Sequence, residues 1–184
     1  MSSDQLSKAE AQVNAWIDSV VVSLNICPFA KRELDAGRVR VCAPDVAVME
    51  AALEAIADEA IKLLHNDVTA TTLVVLAQGF EEFDDYLDLL DMSEALLEEC
   101  GWSESLQLAS FHPDYCFDGV EQDDAANYTN RSPLPIIHLL RQDDVAKAIA
   151  GHPDVDSIPD SNQAMARSKG GAFFDELLRR CKQA

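Results

Sequence analysis

The sequence predicts an α/β domain, with α+β as the alternative: a mixed, mostly parallel sheet of four strands packed with about five helices. Three observations carry this expectation. Short β-rich segments at 38–42, 71–77 and 106–111 are separated by amphipathic helical patterns, as in successive βαβ units. Thr71 to Ala77 is a continuous apolar, β-branched run, the pattern of a strand covered on both faces. No helical pattern lies between the third strand and a fourth at 136–140, so the fourth can return antiparallel.

Taken in order, Ser7 and Glu10 have the spacing of a capping box. Val13, Trp16, Ile17, Val20 and Leu24 then recur at helical spacing to about Asn25. Pro28 restrains Cys27 to extended geometry and ends this helix near the thiol. Arg38 to Cys42 alternates charged and apolar residues, which predicts a strand with one wet face. Asp45 is placed to cap the next helix, whose buried stripe is Met49, Leu53, Ile56, Ala60 and Leu63, with Asn66 as its stop. Phe83 to Cys100 reads as a strongly acidic helix with Phe83, Leu87, Leu90 and Leu97 turned inward and Gly101 at its end. Asp143 or Asp144 opens a short helix closed by Gly151 and Pro153. Pro159 and Asp160 open a last helical region, interrupted at Gly170-Gly171 and resuming through Phe173, Leu177, Leu178 and Cys181.

Composition narrows the function classes. No Gly/Ser/Pro-rich linker divides the 184 residues, so one globular domain over 1–184 is expected. Lys and Arg number 14 against 33 Asp and Glu, a formal charge of −19, which argues against nucleic acid or an acidic membrane surface as partner. The five cysteines lack CxxC spacing and disulfide-scaffold density, which suits a reducing cytoplasm. Residues 1–25 lack the basic flank and apolar core of a signal peptide. No apolar run approaches the roughly 18 residues of a membrane span, so a soluble cytoplasmic chain is expected. Both Asn127-Tyr-Thr129 and Asn130-Arg-Ser132 match a glycosylation sequon, a pattern with meaning only in a secreted chain.

The chemistry-bearing residues crowd into the segment joining the third and fourth strands. His112, Asp114, Tyr115, Cys116, Asp118, Asn127, Tyr128, Asn130, Arg131 and Ser132 all fall there, in a connection long enough to suggest a functional loop. Ligands of open α/β sheets bind beyond the carboxyl ends of parallel strands. That rule puts Ala43-Pro44, Gln78-Gly79 and His112-Pro113 on one rim, and an antiparallel fourth strand returns Asn127 to Ser132 beside them. Between Lys62 and Arg131 the chain has no Lys or Arg and many carboxylates, so Arg131 stands alone in an acidic interval. It reads either as a counter-ion for Asp114 or Asp118, or as an anion anchor with donors from Asn127, Asn130 and Ser132 beside it.

The stretches Asn25-Ile-Cys-Pro-Phe-Ala-Lys31, Phe111-His-Pro-Asp-Tyr115, Asn127-Tyr-Thr-Asn-Arg-Ser-Pro133 with Pro135, and His138-Leu-Leu-Arg141 resemble a family known only as a domain of unknown function. Ile158-Pro-Asp-Ser-Asn162 extends the resemblance over almost the whole chain. It implies a shared pattern in the polar loop and no activity. The family pattern has Gln at the position of Cys116, which gives that thiol no shared role.

Two function classes follow. In the first, an enzyme of unknown cofactor binds a small anionic substrate at the rim. Arg131, Asn127, Asn130 and Ser132 hold the substrate, and His112, assisted by Asp114 or Tyr115, moves a proton. In the second, a non-catalytic adaptor presents Phe111, Tyr115, Phe117 and Tyr128 and meets a basic partner with the acidic helix 83–100. His112 has a plainer reading as a residue bonded to the loop backbone. His138, between Ile136 and Leu140 on one strand face, reads as a buried core imidazole, and His65 and His152 as residues at helix ends. The set His112, Asp114, Cys116 and Asp118 matches no established metal spacing, so no metal is expected. Cys27 reads as structural, because a helix C-terminus disfavours a thiolate. No GxGxxG, P-loop, HExxH or GxSxG is present.

Overall fold

A computed structural model describes residues 1–151 and 154–184. Its elements are α1 (Ser3–Trp16), a π-helical turn (Ile17–Val22), α2 (Ala30–Asp35), β1 (Val39–Cys42), α3 (Met49–Leu64), β2 (Thr71–Val75), α4 (Phe83–Glu99), β3 (Leu106–Phe111), β4 (Ile136–Arg141), α5 (Gln142–Ala150), α6 (Ile158–Lys169) and α7 (Gly171–Cys181). Short 3-10 turns at Ala125–Thr129 and Val155–Ser157 complete the chain. Among the described residues no helix is long and apolar enough to cross a membrane.

The four strands lie in the order β1-β2-β4-β3. β1 pairs with β2 in parallel, and β4 pairs antiparallel with both β2 and β3. The mixed four-stranded sheet is therefore as expected, but it is not mostly parallel. β1, β2 and β3 do share one direction; β4 enters between β2 and β3, so only one of the three pairings is parallel. The reason lies in the connection. A loop without a crossover helix must turn the chain back, and the returning strand then satisfies the open edges of β2 and β3 together. Ile136, Ile137 and Leu139 of β4 are all fully buried as a result.

Alternation along the strands sorts side chains to two faces. Val74, Ile137 and Leu139 pack with α3 and α4, where Ile56, Leu63, Tyr86, Leu89 and Leu97 are buried. Leu73, Val75 and Ile136 pack on the other face with Val13, Trp16, Ile17 and Val20 and with Leu177, Leu178 and Cys181 of α7. Coverage of this second face is uneven. Its remainder is met only by α2 and α5, short helices that contribute no buried residue.

Local chemistry explains the departures at element ends. α1 begins at Ser3, earlier than the Ser7–Glu10 spacing suggests, because Ser2 and Gln5 form the reciprocal capping box. The Glu10 carboxylate instead accepts the Ala43 N–H at 3.1 Å. After the π-helical turn, Asn25 N–H donates to Val22 O at 3.0 Å and Ile26 N–H to Val21 O at 2.9 Å. This is the paired closure of a Schellman motif, with Asn25 at φ 54 in the left-handed position that Asn tolerates. Asp45 does not cap α3; Val48 takes the N-cap position without a side-chain bond. On α4 the buried positions are Tyr86, Leu89, Ser93 and Leu97. Among the described residues there are seven α-helices where about five were expected: α2 forms after Pro28, and the last helical region, interrupted at Gly170 (φ 79) as expected, counts as two. Pro153, read above with Gly151 as closing α5, and His152, read as a residue at a helix end, lie outside the described residues.

Val74 is 0 % exposed at the middle of β2. Val74→Asp places an unpaired carboxylate there, at a cost of several kcal/mol. The variant is expected to lose cooperative unfolding in urea; a soluble variant with a parental urea midpoint would contradict this sheet order.

Candidate functional site

The loop between β3 and β4 holds itself together with the residues that made it look like a site. His112 is 0 % exposed, and its ring lies 5.1 Å from that of Phe83 and 5.0 Å from that of Tyr86. Its Nε2 meets the Phe80 carbonyl at 3.0 Å and its Nδ1 accepts the Asp114 N–H at 3.0 Å. A carbonyl accepts only, so Nε2 carries the proton and Nδ1 is the acceptor. Burial holds the imidazole below its ordinary range. Both nitrogens are thereby committed to backbone, and the acid/base role expected for His112 finds no free nitrogen.

The other loop residues behave alike. Asn127 is fully buried; its Oδ1 accepts the Phe117 N–H at 3.1 Å and its Nδ2 donates to Glu121 O and Gln122 O at 2.9 and 3.3 Å. Asn130 Nδ2 donates to Ser110 O at 3.1 Å, and buried Ser132 donates to Leu134 O at 2.6 Å. Arg131 Nε donates to Tyr115 O at 3.1 Å and an Nη to Gln122 O at 2.8 Å, with the guanidinium 4.6 Å from the Tyr128 ring centroid. The expected substrate donors are thus staples for carbonyls that a loop cannot pair by itself. Arg131 does border an open hollow, but Asp114, Glu121, Asp123 and Asp175 share it. His112 is not among the residues lining that hollow, so the two are not brought to a common pocket.

Tyr115 is half-buried, its ring 5.5 Å from Phe83 and 5.0 Å from Phe117, while Phe111 packs on Trp16 and Tyr128 stacks on Phe174. These aromatics do not form the exposed patch that an adaptor would present. Asp114 and Asp118 are exposed, Asp114 meeting His112 through its backbone N–H, and Cys116 donates to Val120 O at 3.2 Å. Among the described residues no group of three or more His, Cys, Asp or Glu is arranged to hold a metal ion.

A different place has the shape of a binding site. Where the second sheet face is thinly covered, a cavity of about 320 Å³ opens between the sheet, the π-helical turn, α2 and α5. Its floor is Val39 of β1, Thr71 and Leu73 of β2, His138 and Leu140 of β4, and Gln107, Ala109 and Phe111 of β3. Trp16, Ile17 and Val21 form one side, and Cys27, Phe29, Ala30 and Leu34 another. Val145 and Ala148 of α5 join them, and Glu33, Arg141 and Asp144 are the charged residues of the lining. The register explains the hollow: Ala109 and Leu73 flank His138 on either side, and alanine leaves space above its strand.

Charged groups at this wall already have partners. Arg38 lies 3.3 Å from Glu33 and 3.1 Å from Asp144, which ties α2 to α5. Arg141 donates to the carbonyls of Leu63, Asn66 and Thr69. Thr71 Oγ1 lies 2.6 Å from Leu139 O and 2.5 Å from His138 Nε2. The hydroxyl has one hydrogen and the carbonyl can only accept, so both contacts hold when Nε2–H donates to Thr71. Nδ1 of His138 is then an acceptor with no hydrogen-bond partner among the described residues. Glu33 Oε2, also at this wall, is buried and accepts no hydrogen bond among the described residues. Burial pushes the His138 pKa down to about 4, which keeps the ring neutral near pH 7. Cys27 is half-buried and unpaired with any other cysteine.

No local motif announces this cavity, because its lining comes from residue 16 to residue 148. Ala109 in the middle of a strand face and His138 between two apolar neighbours were the available signals.

A family model described as protein of unknown function (DUF1415) matches residues 8–176, and the chain belongs to that family. No curated protein and no solved structure matches the chain.

Both His112 and His138 have folded-state pKa values below the ordinary 6.5. As pH falls through 6.5 the unfolded chain binds protons first, so stability is full above 6.5 and declines toward the His138 value near 4. The slope is at most about 1.4 kcal/mol per pH unit for each histidine. Urea titrations at pH 7, 6 and 5 are expected to show a falling midpoint, with a shallower fall in His138→Leu.

Proposed function

We propose that this protein binds a small, mainly apolar molecule in the cavity between the sheet and helices α2 and α5. The observation that carries the reading is the cavity itself, about 320 Å³ and walled mainly by aliphatic and aromatic side chains, with His138 among them. Ligand pockets span about 300–1,000 Å³ and combine an apolar lining with a few converging polar groups. Forgone packing supports it too. Apolar surface left facing this hollow is surface that the fold does not bury for itself. The π-helical turn that supplies Ile17 and Val21 agrees with the reading, since such turns are frequent at functional sites.

An anionic substrate at the 111–132 loop, with His112 as acid/base, has less support. Two Arg131 donors already serve Tyr115 and Gln122, and the adjoining hollow is acidic. The outer face of α4 is rich in exposed carboxylates, but no aromatic patch accompanies it.

Naphthalene titrated by calorimetry, with Trp16 fluorescence as a second reporter, tests the cavity. Ala109→Phe fills the space above β3 and is expected to weaken binding at least about tenfold, the scale of one lost apolar contact set. The same variant should unfold at or above the parental temperature. Asp114→Asn, in the loop hollow, is expected to leave binding unchanged. Binding that survives Ala109→Phe and is lost in Asp114→Asn would move the site to the loop.

A further inference from the structure

We infer that the cavity takes an uncharged ligand of about two fused rings bearing a hydroxyl, a phenol or an alcohol, which donates to His138 Nδ1. The inference rests on the cavity being the binding site and adds the chemistry of what it selects.

Size sets the body of the ligand. A dry apolar cavity of about 150 Å³ holds one benzene ring, so 320 Å³ accommodates a two-ring molecule. Charge is selected against by the wall. Much of the charge at the wall is spent inside the fold: Arg38 bridges Glu33 and Asp144, and Arg141 gives its Nε and one Nη to three backbone carbonyls. An ion entering this mainly apolar space would lose much of its hydration.

Polarity sets the head group. With Nε2–H donating to Thr71, His138 offers a single acceptor, and a ligand must bring the hydrogen. Gln107 supplies the complement. It lies on the same sheet face, one position diagonal to His138, since His138 pairs with Ala109 and Gln107 with Leu140. Its amide has no side-chain hydrogen bond among the described residues and lies within the diagonal reach of a long side chain. A hydroxyl donates one hydrogen and accepts another, so it can satisfy the imidazole and the amide together. An ether and a carboxylate both lack the donor.

The test is calorimetry at pH 7 with four probes of one shape: 2-naphthol, 2-methoxynaphthalene, naphthalene and 2-naphthoate. The expected order places 2-naphthol about 3- to 10-fold tighter than the methyl ether, the worth of one hydrogen bond, with naphthoate weakest. His138→Leu should abolish the difference between naphthol and ether while both still bind. Equal binding of naphthol and ether overturns the head-group inference and leaves the cavity standing, as does tightest binding of naphthoate. Failure of all four probes removes the cavity reading itself. If His138→Leu does not fold, the ¹⁵N shift of the His138 imidazole in the parent decides. A Nδ1 shift with naphthol and not with the ether supports the inference, and no shift with naphthol overturns it.

Discussion

The structure depends on the antiparallel insertion of β4 between β2 and β3. Every other feature of interest is hung on that strand. It gives the sheet its second and third ladders, and it brings His138 between Leu73 and Ala109. The strand is held at its entrance by Tyr86 of α4, whose hydroxyl donates to Ile136 O at 2.8 Å and accepts the Phe111 N–H at 3.0 Å. One buried phenol thus fastens the facing ends of β3 and β4. Burial pushes this phenol far above its ordinary range, so it stays a neutral donor at any ordinary pH. The stapled loop does the same work from outside, since His112 N–H donates to Asn130 O and Ser132 N–H to His112 O at the loop's base.

The two sheet faces then meet different fates. α3 and α4 are long helices with buried stripes, and between them and the strands the packing is closed. On the opposite face α1 and α7 cover one part, leaving α2 and α5 to span what remains. These short helices are joined through Arg38, whose guanidinium reaches Glu33 on one and Asp144 on the other. Partly exposed ion pairs of this kind contribute only about 0–1 kcal/mol each. The cavity is therefore bounded by a rigid floor and a lightly fastened cover, an arrangement suited to admitting a ligand.

Much of the fold was legible in the sequence because it is written in local periodicity. The run Thr71 to Ala77, the acidic helix after Phe83 and the break at Gly170-Gly171 all follow from side-chain patterns within a few residues. Strand order is a long-range property, and nothing near Ile136 says which edges that strand will join. The loop reads as a site for a physical reason. Asn127, Arg131, Ser132 and His112 are the residue types that bind substrates, and they are also the types that satisfy the carbonyls and N–H groups of an irregular backbone. Here the structure assigns their polar atoms to the backbone. His138 was legible as a strand residue on an apolar face, but the emptiness beside it depends on Ala109, on another strand, and on helices from both ends of the chain.

The central claim is that the space over Ala109 and His138, not the loop at Arg131, receives a ligand. The most direct measurement is a set of intermolecular nuclear Overhauser effects between naphthalene and methyl-labelled protein. Ligand protons should contact the methyls of Ala109, Leu73, Val145 and Ala148, which all line the cavity. Contacts confined to residues 111–132, or none to these four methyls with ligand bound, would contradict the account.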